Sequence, residues 1–221
     1  DLAACYRLAA HFRMTDITYT HISARVGDGD EFLLNAYGLL FEEVRASNLV
    51  KVGASGEILQ DATGLGVNAA GFVIHSAIHA ARPDVRCVMH THTAPGMAVS
   101  THPEGLMPIT QHAMRFHKRI GRHAYEGIAL DPAERERLAA DLGPHNALIL
   151  DNHGLLTCGA TVADAFGNMY YLERACQAQV AALSSGVQPL MPSQEAIEKT
   201  ATIFHERGAA ASERDWPTLL R

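Results

Sequence analysis

Three histidines occupy positions from which they could bind one metal ion. His90 and His92 follow the largely apolar run 85–89, and His153 follows a second apolar run at 147–150. Side chains two residues apart on a strand project to the same face, so His90 and His92 would present neighbouring imidazoles. Zinc favours nitrogen ligands in tetrahedral order, and its catalytic sites use three protein ligands and keep one position open. The pattern therefore predicts a divalent metal site, with zinc as the expected ion.

The histidine content of the chain limits what one spacing can show. There are 13 histidines in 221 residues, so a single His-x-His pair carries little weight by itself. The more specific signal is that two apolar strands each end in a histidine. Gly154, directly after His153, also permits an unusual backbone geometry at that strand end. The alternative interpretation is that His90 and His92 are half-exposed histidines at a strand end and bind no ion.

The composition indicates a globular domain and argues against two classes of partner. Hydrophobic residues make up 48% of the chain and charged residues 19%, which provides enough apolar surface for a packed core. The net charge of −6 lacks the positive footprint that nucleic-acid binding requires. No apolar run approaches the roughly 18–20 residues of a membrane helix, so we expect no membrane partner. A small-molecule substrate is the expected partner.

The cysteines are widely scattered and include no CxxC pair. They are Cys5, Cys87, Cys158 and Cys176. A chain of this size with this much apolar surface does not need disulfides for stability. We therefore expect reduced, mostly buried thiols and a cytoplasmic location.

Hydrophobic periodicity and turn signals predict interspersed helices and strands in a single domain, residues 1–221. Helices are predicted at 2–14, 41–47, 70–81, 94–100, 131–142, 161–184 and 193–206. Strands are predicted at 18–26, 31–35, 49–52, 57–59, 85–89, 106–110, 124–130, 146–150 and 155–158, the first two joined by a hairpin turn at 27–30. This order predicts a mixed α/β layered domain without a regular βαβ repeat.

Several segments together resemble the class II aldolase/adducin head family. Segments 80–93 and 149–155 are similar to the metal-binding segments of that family, and 37–39 and 161–186 also match its run of elements. The resemblance implies a three-layer α/β/α sandwich with a mixed, largely antiparallel central sheet. It also implies zinc bound by the three histidines and a homotetramer with active sites between subunits.

The chain departs from the sugar-phosphate aldolases of this family at their catalytic and phosphate-binding positions. Those enzymes carry a glutamate, their main acid/base, nineteen residues before the first ligand histidine, where this chain has Gly71. The serines that bind the substrate phosphate correspond to Ala69 and Ala70, and an early Gly-Asn phosphate contact corresponds to 20–21. Segment 68–72 is more similar to adducin heads. The resemblance in fold therefore does not transfer the reaction.

Other side chains are candidates for proton transfer. His112 falls where aldolases often carry a proton-donating tyrosine, and His21 could line the vacated phosphate pocket. Tyr37 is a third catalytic candidate, and Tyr125 is a weaker one. The alternatives are a polar loop position for each histidine and a packed ring with a satisfied hydroxyl for each tyrosine.

His75 and His79 have a spacing that can bind metal, four residues apart on one helix face. The glutamate of an HExxH motif is missing, so the pattern favours polar contacts to solvent or to neighbouring elements.

These observations predict a zinc-dependent, lyase-like enzyme that acts on a small non-phosphorylated carbonyl or carboxylate compound. The metal would stabilise an enolate-like intermediate as a Lewis acid. One alternative is a non-catalytic binding module similar to the adducin head, which the missing glutamate favours. Another is a mononuclear iron oxygenase that loads Fe²⁺ at the same three histidines.

Overall fold

A mixed eight-stranded sheet runs through the computed structural model, which describes residues 1–127 and 133–221. Its strands are β1 (His21–Arg25), β2 (Phe32–Asn35), β3 (Leu49–Val52), β4 (Ile58–Gln60), β5 (Cys87–Thr91), β6 (Gly121–His123), β7 (Ala147–Leu150) and β8 (Gly154–Gly159). The order across the sheet is β4-β3-β2-β1-β5-β8-β7-β6, and only the β6–β7 pair is parallel. Because β1 pairs with β5, a strand distant in sequence, the sheet brings the early part of the chain against the His90 segment.

Helices cover both faces of the sheet. They are α1 (Leu2–His11), α2 (Ala69–Ala81), α3 (Ala94–Ser100), α4 (Gln111–Met114), α5 (Glu134–Leu142), α6 (Val162–Leu183) and α7 (Gln194–Leu219). α1, α3 and α6 contact one face, and α2 and α5 contact the other. The predicted three-layer α/β/α sandwich is confirmed.

The strands between the layers show the alternation that a sheet buried on both faces requires. On β7, Ala147 and Ile149 join the core under α1 and α6, whereas Leu148 and Leu150 join the core under α2 and α5. Successive side chains of a strand point to opposite faces, so each strand contributes to both cores. The same rule places alternate residues of β1 and β5 on the α2 side. None of the helices in the described ranges is long and apolar enough to span a lipid bilayer.

A side-chain cap is present at the N-terminus of α2 and another at that of α6. The Asn68 side chain accepts hydrogen bonds from the backbone N–H groups of Ala70 and Gly71 at the start of α2. The Thr161 hydroxyl accepts a hydrogen bond from the backbone N–H of Asp164 at the start of α6. Such caps satisfy amide groups that have no partner within the helix. The first turn of α2 is therefore held in place, with Gly71 facing the sheet.

Several predicted element bounds are wrong. No strand forms at 106–110, because Pro108 has no N–H to donate and the N–H of Met107 donates to the Gln179 side chain instead. The predicted helix at 41–47 is two single 3₁₀ turns. Residues 124–127 are irregular and directly follow β6, which the sequence did not predict, while 128–132 lie outside the described residues.

The last helix is longer than its pattern predicts. α7 continues beyond residue 206 to Leu219. Trp216, which is buried, packs its ring 5.8 Å from that of Phe166 on α6 and so anchors the distal end of α7. A tertiary contact of this kind is not visible in local periodicity.

A single buried hydroxyl joins α1 to the strands that lead to the site. Tyr6 is fully buried, and its oxygen accepts hydrogen bonds from the N–H of Ile22 (2.8 Å) and of Asn35 (3.0 Å). The β1–β2 register extends only over Ala24 and Arg25, so the strands separate at this end and the hydroxyl lies between them. Two backbone amides that would otherwise be buried without a partner are thereby satisfied.

We expect Tyr6→Phe to lower the free energy of unfolding of metal-free protein by about 2–4 kcal/mol, because it leaves two buried amides without an acceptor. Urea denaturation in the presence of a chelator measures this. Tyr170→Phe is the matched control, since the Tyr170 hydroxyl makes no hydrogen bond within the described residues and its loss should cost little. Equal losses for the two variants would show that the hydroxyl does not bridge the strands.

Candidate metal centre

The three predicted ligand histidines lie together at one end of the interior strands β5, β7 and β8. His90 is buried on β5, His92 lies two residues on, and His153 lies in the turn between β7 and β8. The Nε2 atom of His92 is 2.8 Å from Nε2 of His90 and 2.9 Å from Nε2 of His153. One ligand atom from each of the three lies within 4.8 Å of the others. In a tetrahedral zinc site the ligand nitrogens are roughly 3.3 Å apart, so a small outward movement of the rings would accommodate the ion.

Contacts behind two of the rings aim the Nε2 lone pairs at this common point. His90 Nδ1 is 2.9 Å from the carbonyl oxygen of Leu155, and His92 Nδ1 is 3.0 Å from Oδ2 of Asp16. A carbonyl or carboxylate oxygen only accepts, so Nδ1 carries the hydrogen in both rings and Nε2 carries a lone pair. Lone pairs at such distances repel one another unless a cation lies between them. This donor set fits a divalent ion, and backing of ligand histidines by oxygen acceptors is typical of metal sites.

Burial keeps the imidazoles of His90 and His153 neutral. Burial is the main cause that lowers the pKa of His90 well below its usual value, and nearby histidines add to it. Burial, followed by His92, lowers the pKa of His153 to about 4. Because a metal binds the neutral form of histidine, the site is ready to bind a cation at neutral pH without first losing protons.

Asp16 is a functional contact that the sequence did not predict. It lies on the loop between α1 and β1, where Arg13, Ile17 and Thr20 all have positive φ angles of 58°, 49° and 69°. Left-handed geometry is unusual for β-branched residues such as Ile17 and Thr20, and each such residue costs about 1–3 kcal/mol. The strained loop brings the Asp16 carboxylate to His92. No local pattern marks this contact, because it depends on the tertiary path of the loop.

His21 lies next to the three histidines and occupies the space beside Gly71. It pairs directly with His90 across β1 and β5, and the two ring centroids are 5.2 Å apart. A Cβ atom at position 71 would lie 2.4 Å from Cδ2 and 2.6 Å from Nε2 of His21. No such contact is sterically tolerable, so Gly71 is required for packing and not for its backbone angles. The imidazole of His21 stands where a side chain at position 71 would begin.

The other candidates for proton transfer make no direct contact with this cluster within the described residues, although Tyr125 lines a small pocket together with His153. His112 is on α4, with its ring 5.0 Å from that of Tyr171. Its pKa is lowered by burial and then by nearby arginines. Tyr37 and Tyr125 are both exposed. Within the described residues, no hydrogen bond or ring contact joins any of the three to the histidine cluster, and their catalytic roles stay predictions.

A cavity of about 660 Å³ lies between α6 and α7, and none of the three histidines lines it. Its wall includes Phe12, Phe166 and Trp216, together with Arg115. Size alone would direct attention to this cavity, whereas the arrangement of donor atoms directs it to the histidines. The histidine cluster is therefore the candidate metal site.

The fold and the histidine cluster agree with the family to which the chain belongs. Residues 1–180 match the family model described as Class II Aldolase and Adducin N-terminal domain. The match covers most of the chain, so the chain is a member of this family, as its sequence segments predict.

Both branches of the family are found among its relatives. The structure superposes with a TM-score of 0.94 on an aldolase II superfamily protein from Pseudomonas syringae that is 53% identical, covering 100% of this chain and 89% of that one. It superposes with a TM-score of 0.82 on the L-fuculose 1-phosphate aldolase of Glaciozyma antarctica, 30% identical, covering 92% and 79%. Alpha-adducin of Rattus norvegicus is 46% identical over 85% of this chain, which spans 26% of that longer protein.

We expect Gly71→Ala to destabilise the protein by about 1–3 kcal/mol, because the new Cβ overlaps the His21 ring. In a His21→Ala background the overlap disappears, and the better helix propensity of alanine should make the same change neutral or stabilising by up to about 1 kcal/mol. A double-mutant cycle by urea denaturation measures the sign change. Equal effects of Gly71→Ala in the two backgrounds would disprove the contact.

Proposed function

We propose that the protein is a metal-dependent, lyase-like enzyme that removes a proton next to the carbonyl group of a small non-phosphorylated substrate. The observation that carries the proposal is the convergence of the Nε2 atoms of His90, His92 and His153. These three residues would hold the divalent cation. When bound, the cation supplies Lewis-acid stabilisation of the negative charge that develops on a substrate oxygen. Zinc is the first candidate for this chemistry, and Fe²⁺ is the alternative.

His21 is the group we propose as the proton acceptor. It lies against His90, and its Nε2 atom borders the space beside Gly71. A general base must lie within reach of the substrate proton, and the position of His21 next to a ligand histidine of the same chain supports this role. His112 was the first candidate from the sequence, but it lies on α4 away from the cluster. It could serve the site of a second chain if the protein forms the tetramer that the family resemblance implies.

The charges at the site favour an anionic substrate without a phosphate group. A metal binds histidine in its neutral form, and the Asp16 carboxylate contacts Nδ1 of His92, on the other side of the ring from the Nε2 atom that faces His90 and His153. A divalent cation there would keep most of its positive charge, which a substrate carboxylate can offset. A phosphate dianion needs several hydrogen-bond donors, and Ala69 and Ala70 have no hydroxyl to offer. A 2-oxo acid has a carboxylate to offset the charge of the cation and has no phosphate that needs hydroxyl donors, so it fits the site better than a sugar phosphate.

A non-catalytic binding module is the second candidate function. The 46% identity to alpha-adducin and the absence of a carboxylate at position 71 favour it. The retained histidine cluster, with a hydrogen-bond acceptor behind two of its rings, favours the enzyme. Metal content does not separate the two candidates, whereas turnover does.

Purified protein expressed in metal-replete medium should contain about one divalent ion per chain, and His153→Ala should remove it, because two ligands rarely retain zinc. Inductively coupled plasma mass spectrometry measures the content. His145→Ala changes a half-buried histidine outside the cluster and is the matched control, which should keep its metal. Metal-free wild type, or a fully loaded His153→Ala variant, would contradict the assignment.

The enzyme should catalyse metal-dependent exchange of the C3 protons of pyruvate or a related 2-oxo acid into deuterated water, followed by NMR. His21→Ala should slow this exchange by about 10²–10⁴-fold with its metal content unchanged, since general-base help is typically of that size. Ketose 1-phosphates should not compete with the 2-oxo acid. If His112→Ala and not His21→Ala removes the exchange, the base assignment is wrong. If wild type exchanges nothing across a broad carbonyl panel, the binding module replaces the enzyme.

A further inference from the structure

A row of buried polar side chains continues from His21 into the protein, between β1 and α2. His21 and Ser23 are two residues apart on β1, and Gly71, His75 and His79 are four residues apart on α2. Two residues of a strand rise about 6.6 Å, and four residues of a helix rise about 6 Å. Because these two rises are nearly equal, the β1 side chains and the α2 side chains stay level with each other and come into contact.

Four successive hydrogen bonds join the members of this row. His21 Nδ1 is 2.8 Å from His75 Nε2, and His75 Nδ1 is 2.6 Å from the Ser23 hydroxyl oxygen. That hydroxyl is 2.8 Å from His79 Nε2, and His79 Nδ1 is 3.4 Å from the carbonyl oxygen of Val85. The four side chains are at most 4% exposed, so water does not compete for these contacts.

The carbonyl of Val85 at the far end of the row determines which atom donates and which accepts in every hydrogen bond of the row. The Val85 oxygen can only accept, so His79 donates from Nδ1 and its Nε2 accepts the hydrogen of the Ser23 hydroxyl. The serine oxygen then accepts from Nδ1 of His75, which leaves Nε2 of His75 as the acceptor for Nδ1–H of His21. Each neutral imidazole has one hydrogen, so Nε2 of His21 has none.

Two neighbours hold the far end of the row in this state. The His79 ring stacks on Phe32, with centroids 4.5 Å apart and an angle of 19° between the planes. Burial, followed by the positive charge of Arg25, lowers the pKa of His79 to about 4. The ring is therefore neutral and fixed, and its Nδ1 points to the Val85 carbonyl.

We propose that His75, Ser23 and His79 are positioning residues that hold His21 in the Nδ1–H tautomer and present a bare Nε2 beside the metal centre. A nitrogen with a hydrogen could only donate there, whereas a bare nitrogen can accept a substrate proton. The opposite tautomer, Nε2–H, is the one that a free neutral imidazole favours in water. The row therefore selects the form that proton abstraction needs. The use of that nitrogen rests on the proposed function, but its tautomeric state does not.

Long-range ¹H–¹⁵N NMR of protein labelled with ¹⁵N-histidine, at pH 8 in the presence of a chelator, distinguishes the two neutral tautomers. His21, His75 and His79 should all show hydrogen on Nδ1, with signals assigned by single His→Asn variants. An Nε2–H signal for His21 in wild type would overturn the proposal. The tautomer is read from the wild-type spectrum, and the His→Asn variants serve only to assign its signals.

Variants of Ser23 test whether the row controls His21. Ser23→Ala removes the link between His75 and His79, so His21 should shift partly or fully to Nε2–H, whereas Ser23→Thr keeps the hydroxyl and should preserve the tautomer. Ser76→Ala is the matched control. Ser76 is buried like Ser23, but it lies on α2 and donates its hydrogen bond to the carbonyl oxygen of Val73 in the same helix. An unchanged His21 tautomer in folded Ser23→Ala would overturn the proposal.

The kinetic consequence separates this proposal from the proposed function. In an active enzyme, Ser23→Ala should lower kcat for proton exchange at least tenfold with KM and metal content unchanged, and Ser23→Thr should restore it. A fall in kcat with the wild-type His21 tautomer retained would overturn the positioning role. If the predicted tautomers are observed but no substrate is turned over, the control of the His21 tautomer is supported and the proposed function is contradicted.

Discussion

The convergence of three imidazole nitrogens on one point is the constraint on which the surrounding structure depends. The Nε2 lone pairs of His90 and His92 repel each other at this distance, so both rings must be held from behind. The carbonyl of Leu155 holds His90, and the carboxylate of Asp16 holds His92. Burial keeps the rings of His90 and His153 uncharged. The strained loop before β1 is the energetic cost of bringing Asp16 to its place, and a bound cation would offset the repulsion that remains.

The site differs from the sugar-phosphate aldolase pattern in two ways. It lacks the carboxylate at position 71, and the imidazole of His21 occupies the neighbouring space. A carboxylate at position 71 would bring a negative charge towards the ion, whereas His21 brings a neutral ring from the opposite element. Under the proposed function, the proton acceptor lies on a strand and not on a helix, and Ser23 and the two α2 histidines form the hydrogen bonds behind it.

Sequence patterns predicted the parts of this site that local chemistry determines. The apolar runs before His90 and His153 indicated where two strands end, and a family resemblance supplied the layered fold. Pairing between β1 and β5, which places His21 opposite His90, joins segments about 70 residues apart and left no local signal. The contact of Asp16 with His92 and the partners of His75 depend on that pairing. For the same reason, an apolar run interrupted by Pro108 could not be distinguished from a strand without its tertiary partners.

The close contact between His21 and Gly71 constrains which residues these two positions can hold together. In this structure a side chain at position 71 would begin in the space of the His21 ring. A carboxylate at position 71 and the imidazole of His21 in its present place therefore exclude each other. Introducing glutamate at position 71 would require either a smaller residue at position 21 or a shift of that ring.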